Sequence, residues 1–98
     1  MVDRHPSLRG TVIQVYMYNG VVTGVYVHGK LEADTSVAQA FVRISDKTRV
    51  FIKHASGPYQ PASLTDLTKG DMVEILFAAL VEQASPEPPI AEEIVIVK

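Results

Sequence analysis

Cysteine is absent from the 98-residue chain, which removes disulfide frameworks, thiolate zinc sites, iron–sulfur clusters and cysteine nucleophiles together. No apolar run approaches the roughly 18 residues that cross a bilayer. The opening residues, Met-Val-Asp-Arg-His-Pro-Ser-Leu-Arg-Gly, lack the apolar centre of a signal peptide, so any leader would precede this chain. There is no internal repeat. There is no Gly-rich phosphate loop, and no serine sits in Gly-x-Ser-x-Gly or another nucleophile turn. Excess positive charge is missing too: the net charge is −2 and the pI near 5.8, which argues against a protein that lives on phosphate backbones. What is present is a globular composition, 47 % hydrophobic and 20 % charged, at the length of a single domain. Residues 1–9 are expected to form a flexible N-terminal arm.

Residues 11–18, Thr-Val-Ile-Gln-Val-Tyr-Met-Tyr, are β-branched and aromatic and run into Asn19-Gly20. Asn-Gly between two strand-like runs predicts a hairpin, because both central residues of a type I′ turn need positive φ. The second run covers residues 21–31, with Gly24 marking a bulge or bend. In residues 41–54, Val42, Ile44, Thr48, Val50 and Ile52 share one parity, while Arg43, Ser45, Lys47, Arg49 and Lys53 share the other. Alternation gives this stretch an apolar side and a basic side. It is either one long strand or a hairpin turning at Ser45-Asp46-Lys47.

Residues 55–62 read as a loop around Gly57, Pro58, Tyr59 and Pro61. In residues 63–70, Ser63 can cap a short helical turn, Asp66 falls three residues later, and Gly70 supplies a left-handed stop. A fourth strand is expected over residues 71–81, with Val73, Ile75, Phe77 and Ala79 on one parity. An irregular, proline-rich connection over 83–89 follows, then a last strand over 91–97. Five strands with one helical turn between the third and fourth predict an all-β, five-stranded oligonucleotide/oligosaccharide-binding (OB) barrel spanning residues 1–98. An open sheet or another small barrel is the alternative. The predicted single core comprises Val12 or Ile13, Val25, Val42, Ile44, Val50, Leu67, Val73, Ile75 and Ile94.

Some of these pieces have a familiar spacing: Gly10-Thr11-Val12 with Val15, the Val42–Ile44–Thr48–Val50 series, Asp66-Leu67 before Gly70-Asp71-Met72-Val73-Glu74, and Pro89-Ile90-Ala91 before Ile94-Val95-Ile96. Over residues 10–98 the chain resembles a bacterial family of small OB-like proteins of unknown function, the YobA-like proteins, often exported or lipid-anchored. The chain departs from that pattern in the last connection, where Ser85-Pro86-Glu87-Pro88-Pro89 stands in place of an aromatic-proline pair. The resemblance implies the fold and the mature part of an exported or lipid-anchored protein. It implies no activity.

Chemistry is sparse in this sequence. The basic stripe carries Arg43, Lys47, Arg49 and Lys53 against one acid, Asp46, with Phe41 and Phe51 at the same parity. Tyr26 and His28 belong to a neighbouring strand. Cations that track phosphates beside rings that stack on bases suit single-stranded nucleic acid. The plainer alternative is a solvated outer face, or a cross-strand ion-pair ladder with Glu74, Glu92 or Glu93. Residues 71–98 hold six acids and one lysine, a field that repels polyanions unless it faces away. His28, His54, Glu32 and Asp34 form a conceivable but weak zinc set. Glu92 and Glu93 are adjacent on a strand, so their side chains are expected on opposite faces, where they cannot share a proton. Tyr59, between two prolines, is either a contact residue or a lid over the barrel end.

The sequence therefore predicts a non-enzymatic OB-like binding or interaction module that uses no cofactor and no metal. Its ligand-binding face would carry Tyr26, His28, Arg43, Arg49, Phe51 and Lys53. The alternatives are a structural domain packing on another protein through a strand edge or the proline-rich loops, or a weak single-stranded nucleic-acid binder through residues 41–53. The partner is unknown from the sequence: a protein is one candidate, nucleic acid a less favoured one, and this segment is expected to insert in no membrane. The sequence names neither ligand nor compartment.

Overall fold

Asn19 and Gly20 decide where the first strand turns back. In the computed structural model, which describes residues 6–33, 35, 37–54, 57–78 and 89–98, their φ angles are 52° and 79°, as a type I′ turn requires. The turn joins β1 (Leu8–Tyr18) to β2 (Val21–Gly29). Then come β3 (Gln39–Arg43), β4 (Arg49–Lys53), β5 (Tyr59–Pro61), a 3₁₀ turn (Leu64–Asp66), β6 (Met72–Phe77) and β7 (Ala91–Val97). The fold is all-β, as the residue pattern predicts. Its strands form one seven-stranded sheet in the order β3-β2-β1-β6-β7-β4-β5.

That sheet replaces the predicted five-stranded barrel, because its continuous ladder is not closed. Two local events add strands. Within residues 41–54, Lys47 N–H donates to Ser45 Oγ (3.1 Å), Ser45 N–H to Thr48 Oγ1 (3.0 Å), and Thr48 N–H to the Ser45 carbonyl (3.2 Å). These bonds take the backbone out of the ladder and divide the segment. The two halves are neither one strand nor a hairpin: β3 pairs antiparallel with β2, while β4 pairs parallel with β7 and antiparallel with β5. The second addition is β5, three residues of the expected loop that pair with β4. β3, at one end of the sheet, still reaches the start of β7. Arg43 makes an isolated parallel bridge to Ile90, and its N–H donates to the Pro89 carbonyl at 2.8 Å.

The core lies on one face of the curled sheet. Leu8, Val12, Val25, Val27, Val42, Val50, Leu67, Val73, Ile75, Phe77, Ala91, Ile94 and Ile96 form one cluster, with Ile44 and Ile52 packed against it. Of the predicted pair, Val12 goes inside and Ile13 is 40 % exposed. The reason is a bulge: Val12 faces Val27 and Gln14 faces Tyr26, so Ile13 is the extra residue. Leu8 is fully buried opposite Ile75, and Arg9 pairs with Glu74 across the strands. The expected N-terminal arm therefore ends before residue 8, and residues 1–5 lie outside the described ones, as do Ala79 and the connection to 88.

Ser63 caps the 3₁₀ turn reciprocally. Thr65 N–H donates to its hydroxyl at 3.2 Å, and Ser63 N–H donates to Asp66 Oδ2 at 2.9 Å, the capping-box arrangement. The predicted stop at Gly70 is not the helix end. Leu67 ends it with extended backbone and drops its side chain into the core. Gly70, at φ 95°, closes a later turn and donates to the Val12 carbonyl at 2.8 Å.

Candidate functional site

Strand alternation puts Arg49, Phe51 and Lys53 on the outer face, away from Val50 and Ile52. Parallel pairing sets Arg49 beside Glu93, Phe51 beside Val95 and Lys53 beside Val97. On the other side, Phe51 faces Pro61 and Lys53 faces Tyr59. Each side chain finds a neighbour. Arg49 Nη2 lies 3.2 Å from Glu93 Oε2 and 3.9 Å from Glu92 Oε2. Lys53 Nζ stands 5.6 Å from the centroid of the Tyr59 ring, which tilts 6.2 Å from Phe51, within cation–π and aromatic-pair range. Tyr59 is thus no lid over a barrel end: it lies exposed on the outer surface.

Glu92 and Glu93 correct the expected alternation. Leu76 faces Glu93 and Phe77 faces Ala91, so Glu92 is the extra residue of a bulge. Two bulge residues oppose one partner residue, and both carboxylates consequently reach one guanidinium. Glu74 goes elsewhere: Arg9 Nε donates to Glu74 Oε2 at 2.8 Å while Arg9 Nη1 donates to Glu32 Oε1 at 2.8 Å. The basic stripe is therefore interleaved with acid at Arg49, as the ladder alternative requires.

Tyr26, His28 and Arg43 do not lie on β4. They stand on β2 and β3, whereas Arg49, Phe51 and Lys53 stand on β4, with β1, β6 and β7 between in the sheet order. Tyr26 faces Phe41, His28 faces Gln39 and Arg43 faces Gly24. Phe41 leans over Gly24 and meets Tyr16 edge-on, with centroids 5.1 Å apart. A Cβ on Gly24 would stand 2.6 Å from Phe41 Cζ, so the glycine makes room for the ring; the extra bulge residue is its neighbour Thr23. By strand pairing the six predicted contact residues fall into two groups, Tyr26, His28 and Arg43 on β2 and β3 and Arg49, Phe51 and Lys53 on β4.

No group of three or more His, Cys, Asp or Glu side chains able to hold a metal occurs among the described residues. Asp34, part of the weak zinc set, lies outside them. The Asp71 carboxyl is shifted from its ordinary value. Burial pushes its carboxyl up, but hydrogen bonds from the Thr68 N–H and hydroxyl, and from charged Lys98, outweigh that and hold it below its ordinary 3.8. The geometry is that of a turn staple: Thr68 N to Oδ2 2.9 Å, Thr68 Oγ1 to Oδ2 3.0 Å and Lys98 Nζ to Oδ1 3.3 Å.

The pattern of alternation misses the most exposed apolar surface. Tyr18 is 71 %, Met17 60 % and Val21 59 % exposed, joined by Tyr16 and Ile13. All five lie on the β1–β2 hairpin, where β6 has stopped pairing: β6 reaches β1 only from Leu8 to Thr11. One sequence signal marks this arm. Residues 10–27 contain no Asp, Glu, Lys or Arg and belong to the longest stretch of the chain without one. No family model, curated protein or solved structure matches the chain.

Proposed function

We propose that this chain is a non-enzymatic, OB-like β-module that works by contact with another protein, through the β1–β2 arm and the adjoining Phe41. The observation that carries this reading is the concentration of exposed Ile13, Tyr16, Met17, Tyr18 and Val21 on one uncharged hairpin. Clustered apolar exposure marks contact surfaces, whereas single exposed apolar residues do not. The OB-like part rests on the near-closure of the sheet. β3 and β4 together stand where one long third strand would run, β4 lies parallel to β7, and Arg43 bridges to Ile90 just before β7. A closed five-stranded barrel needs the same link between its third and last strands.

Charge favours protein over nucleic acid as the partner. Glu93 and Glu92 offset Arg49, and Lys53 is engaged with Tyr59, so the cations do not form an open track for phosphates. The test is a photo-crosslinking residue, p-benzoylphenylalanine, placed at Tyr18 and, as control, at Lys47 on the β3–β4 turn. Protein adducts from position 18 and none from position 47 are expected. Equal adducts from both, or none from either, would overturn the reading. So would salt-sensitive binding of oligo-dT or oligo-U by the parent chain that disappears in the Arg49→Glu, Lys53→Glu double variant.

A further inference from the structure

Along the arm, the outer edge of β1 has no partner strand among the described residues. From Leu8 to Thr11 it pairs with β6, and at Val12 the loop takes over, with Val12 N–H donating to the Asp71 carbonyl at 2.8 Å. Beyond the bulge at Ile13, the segment from Gln14 to Tyr18 has β2 as its partner strand among the described residues. An open edge presents unpaired N–H and C=O groups, and proteins normally blunt such edges with prolines, charges or covering segments. Two other edges of this sheet are blunted in those ways, β5 along its length and β3 at its end. β5 contains Pro61 and follows Pro58, and the end of β3 is engaged by Pro89 and Ile90. The arm has neither device: it carries no charge and no proline over residues 10–27.

We infer that this edge is the self-association surface of the protein: the Gln14–Tyr18 edges of two copies pair antiparallel about a two-fold axis, joining two β1–β2 arms into one four-stranded ribbon. The inference rests on the reading of the arm as a protein-contact surface and names the partner as a second copy of this chain. An antiparallel ladder fits the same edge against itself, so each copy satisfies the other's Gln14–Tyr18 backbone groups. Charge supports that occupant. Each copy is net negative, at −2, and the uncharged arm lets two such bodies meet without placing like charges opposite each other. The absence of cations in the same stretch gives an anionic lipid surface nothing to attract it.

Sedimentation velocity between about 1 μM and about 1 mM, the span over which a small edge interface associates, is the test. A concentration-dependent dimer is expected for the parent. The Gln14→Lys, Met17→Lys double variant, with unchanged circular dichroism, should self-associate about tenfold or more weakly, since each copy then brings two cations to the shared edge. As a readout that needs no variant, amide hydrogen exchange of Gln14–Tyr18 should slow only at concentrations where the dimer forms. A monomeric parent at all concentrations, a double variant that dimerises like the parent, or a dimer that leaves these amides unprotected would overturn the inference. So would co-sedimentation of a monomeric parent with neutral phosphatidylcholine vesicles, which would assign the arm to lipid. The two failures are distinguishable. A monomeric parent that still gives adducts at Tyr18 with a different protein rejects self-pairing alone, whereas no adducts of either kind reject the contact surface itself.

Discussion

The β1–β2 arm and the outer face of β6, β7, β4 and β5 are both rich in aromatic and β-branched residues, yet they hold them differently. On the wide part of the sheet, Val95 is an outer-face residue only 5 % exposed, because Glu74 and Phe51 flank it on the adjacent strands. Phe51 in turn lies against Tyr59, and Arg49 against two carboxylates. On the arm, Met17 and Tyr18 face a partner strand on one side only among the described residues. The same residue types are covered where the sheet continues on both sides and bare where it stops. Sheet width, more than residue type, sets what this protein offers to a partner.

Substitutions on the two regions, and one titration, sharpen that contrast. Ile94→Ala, at a fully buried site of the wide sheet, should lower stability by about 2–5 kcal/mol; Met17→Ser on the arm should change it by no more than about 0.5 kcal/mol. Urea unfolding of both reads the difference, and equal effects would break the comparison. At the root of the arm, Gly24→Ala forces the Phe41 ring away and should destabilise by about 1–3 kcal/mol. Nuclear Overhauser effects between the Tyr16 and Phe41 rings, expected in the parent, should disappear in that variant. Ser63→Ala removes the cap on the 3₁₀ turn, for an expected cost of about 0.5–2 kcal/mol in the same unfolding assay.

Asp71 gives a smaller effect that depends on pH. Its carboxyl is held below its ordinary 3.8 in the folded protein, so its contribution is fully present above that value and fades as pH falls through the lower folded one. Asp71→Asn should flatten the acid limb of a stability-against-pH curve; an unchanged limb would discount the turn staple. Arg49→Ala comes last. Its side chain is 58 % exposed, so removing the carboxylate pairing should cost no more than about 0.2–1 kcal/mol and vanish in high salt.

Local features are legible in the sequence for local reasons. Asn19-Gly20 places a turn because few residues tolerate positive φ, and Ser63 with Asp66 places a cap because both partners lie within one turn. The parity of Val42, Val50 and Ile52 gives the inward face correctly. The neighbours on that face are not legible. Nothing near Arg49 in sequence indicates a parallel partner 44 residues away, and pairing is decided by burial across the whole sheet. Bulges compound the problem. One extra residue at Ile13 and another at Glu92 shift every later side chain relative to strict alternation, which is why Ile13 competes with Val12 and why the two glutamates converge.

The candidate site is partly legible in the same sense. Phe51, Lys53 and Tyr59 do come together, because a short return strand brings Tyr59 back beside Lys53. Tyr26, His28 and Arg43 do not join them. The division at Ser45–Thr48 sends β3 to β2 and β4 to β7, and a residue's parity cannot show that its strand changes partners.

By itself the sequence determined the all-β class, the first hairpin, the capped turn and the identity of the core, since these follow from backbone preference and the alternation of apolar residues. Only the tertiary structure decided the seven-strand order, the pairing of Arg49 with Glu93 and the exposure of the arm. Those depend on which distant segments lie side by side and where each ladder stops, and hydrogen-bond partners between strands are chosen by the packing of the whole sheet.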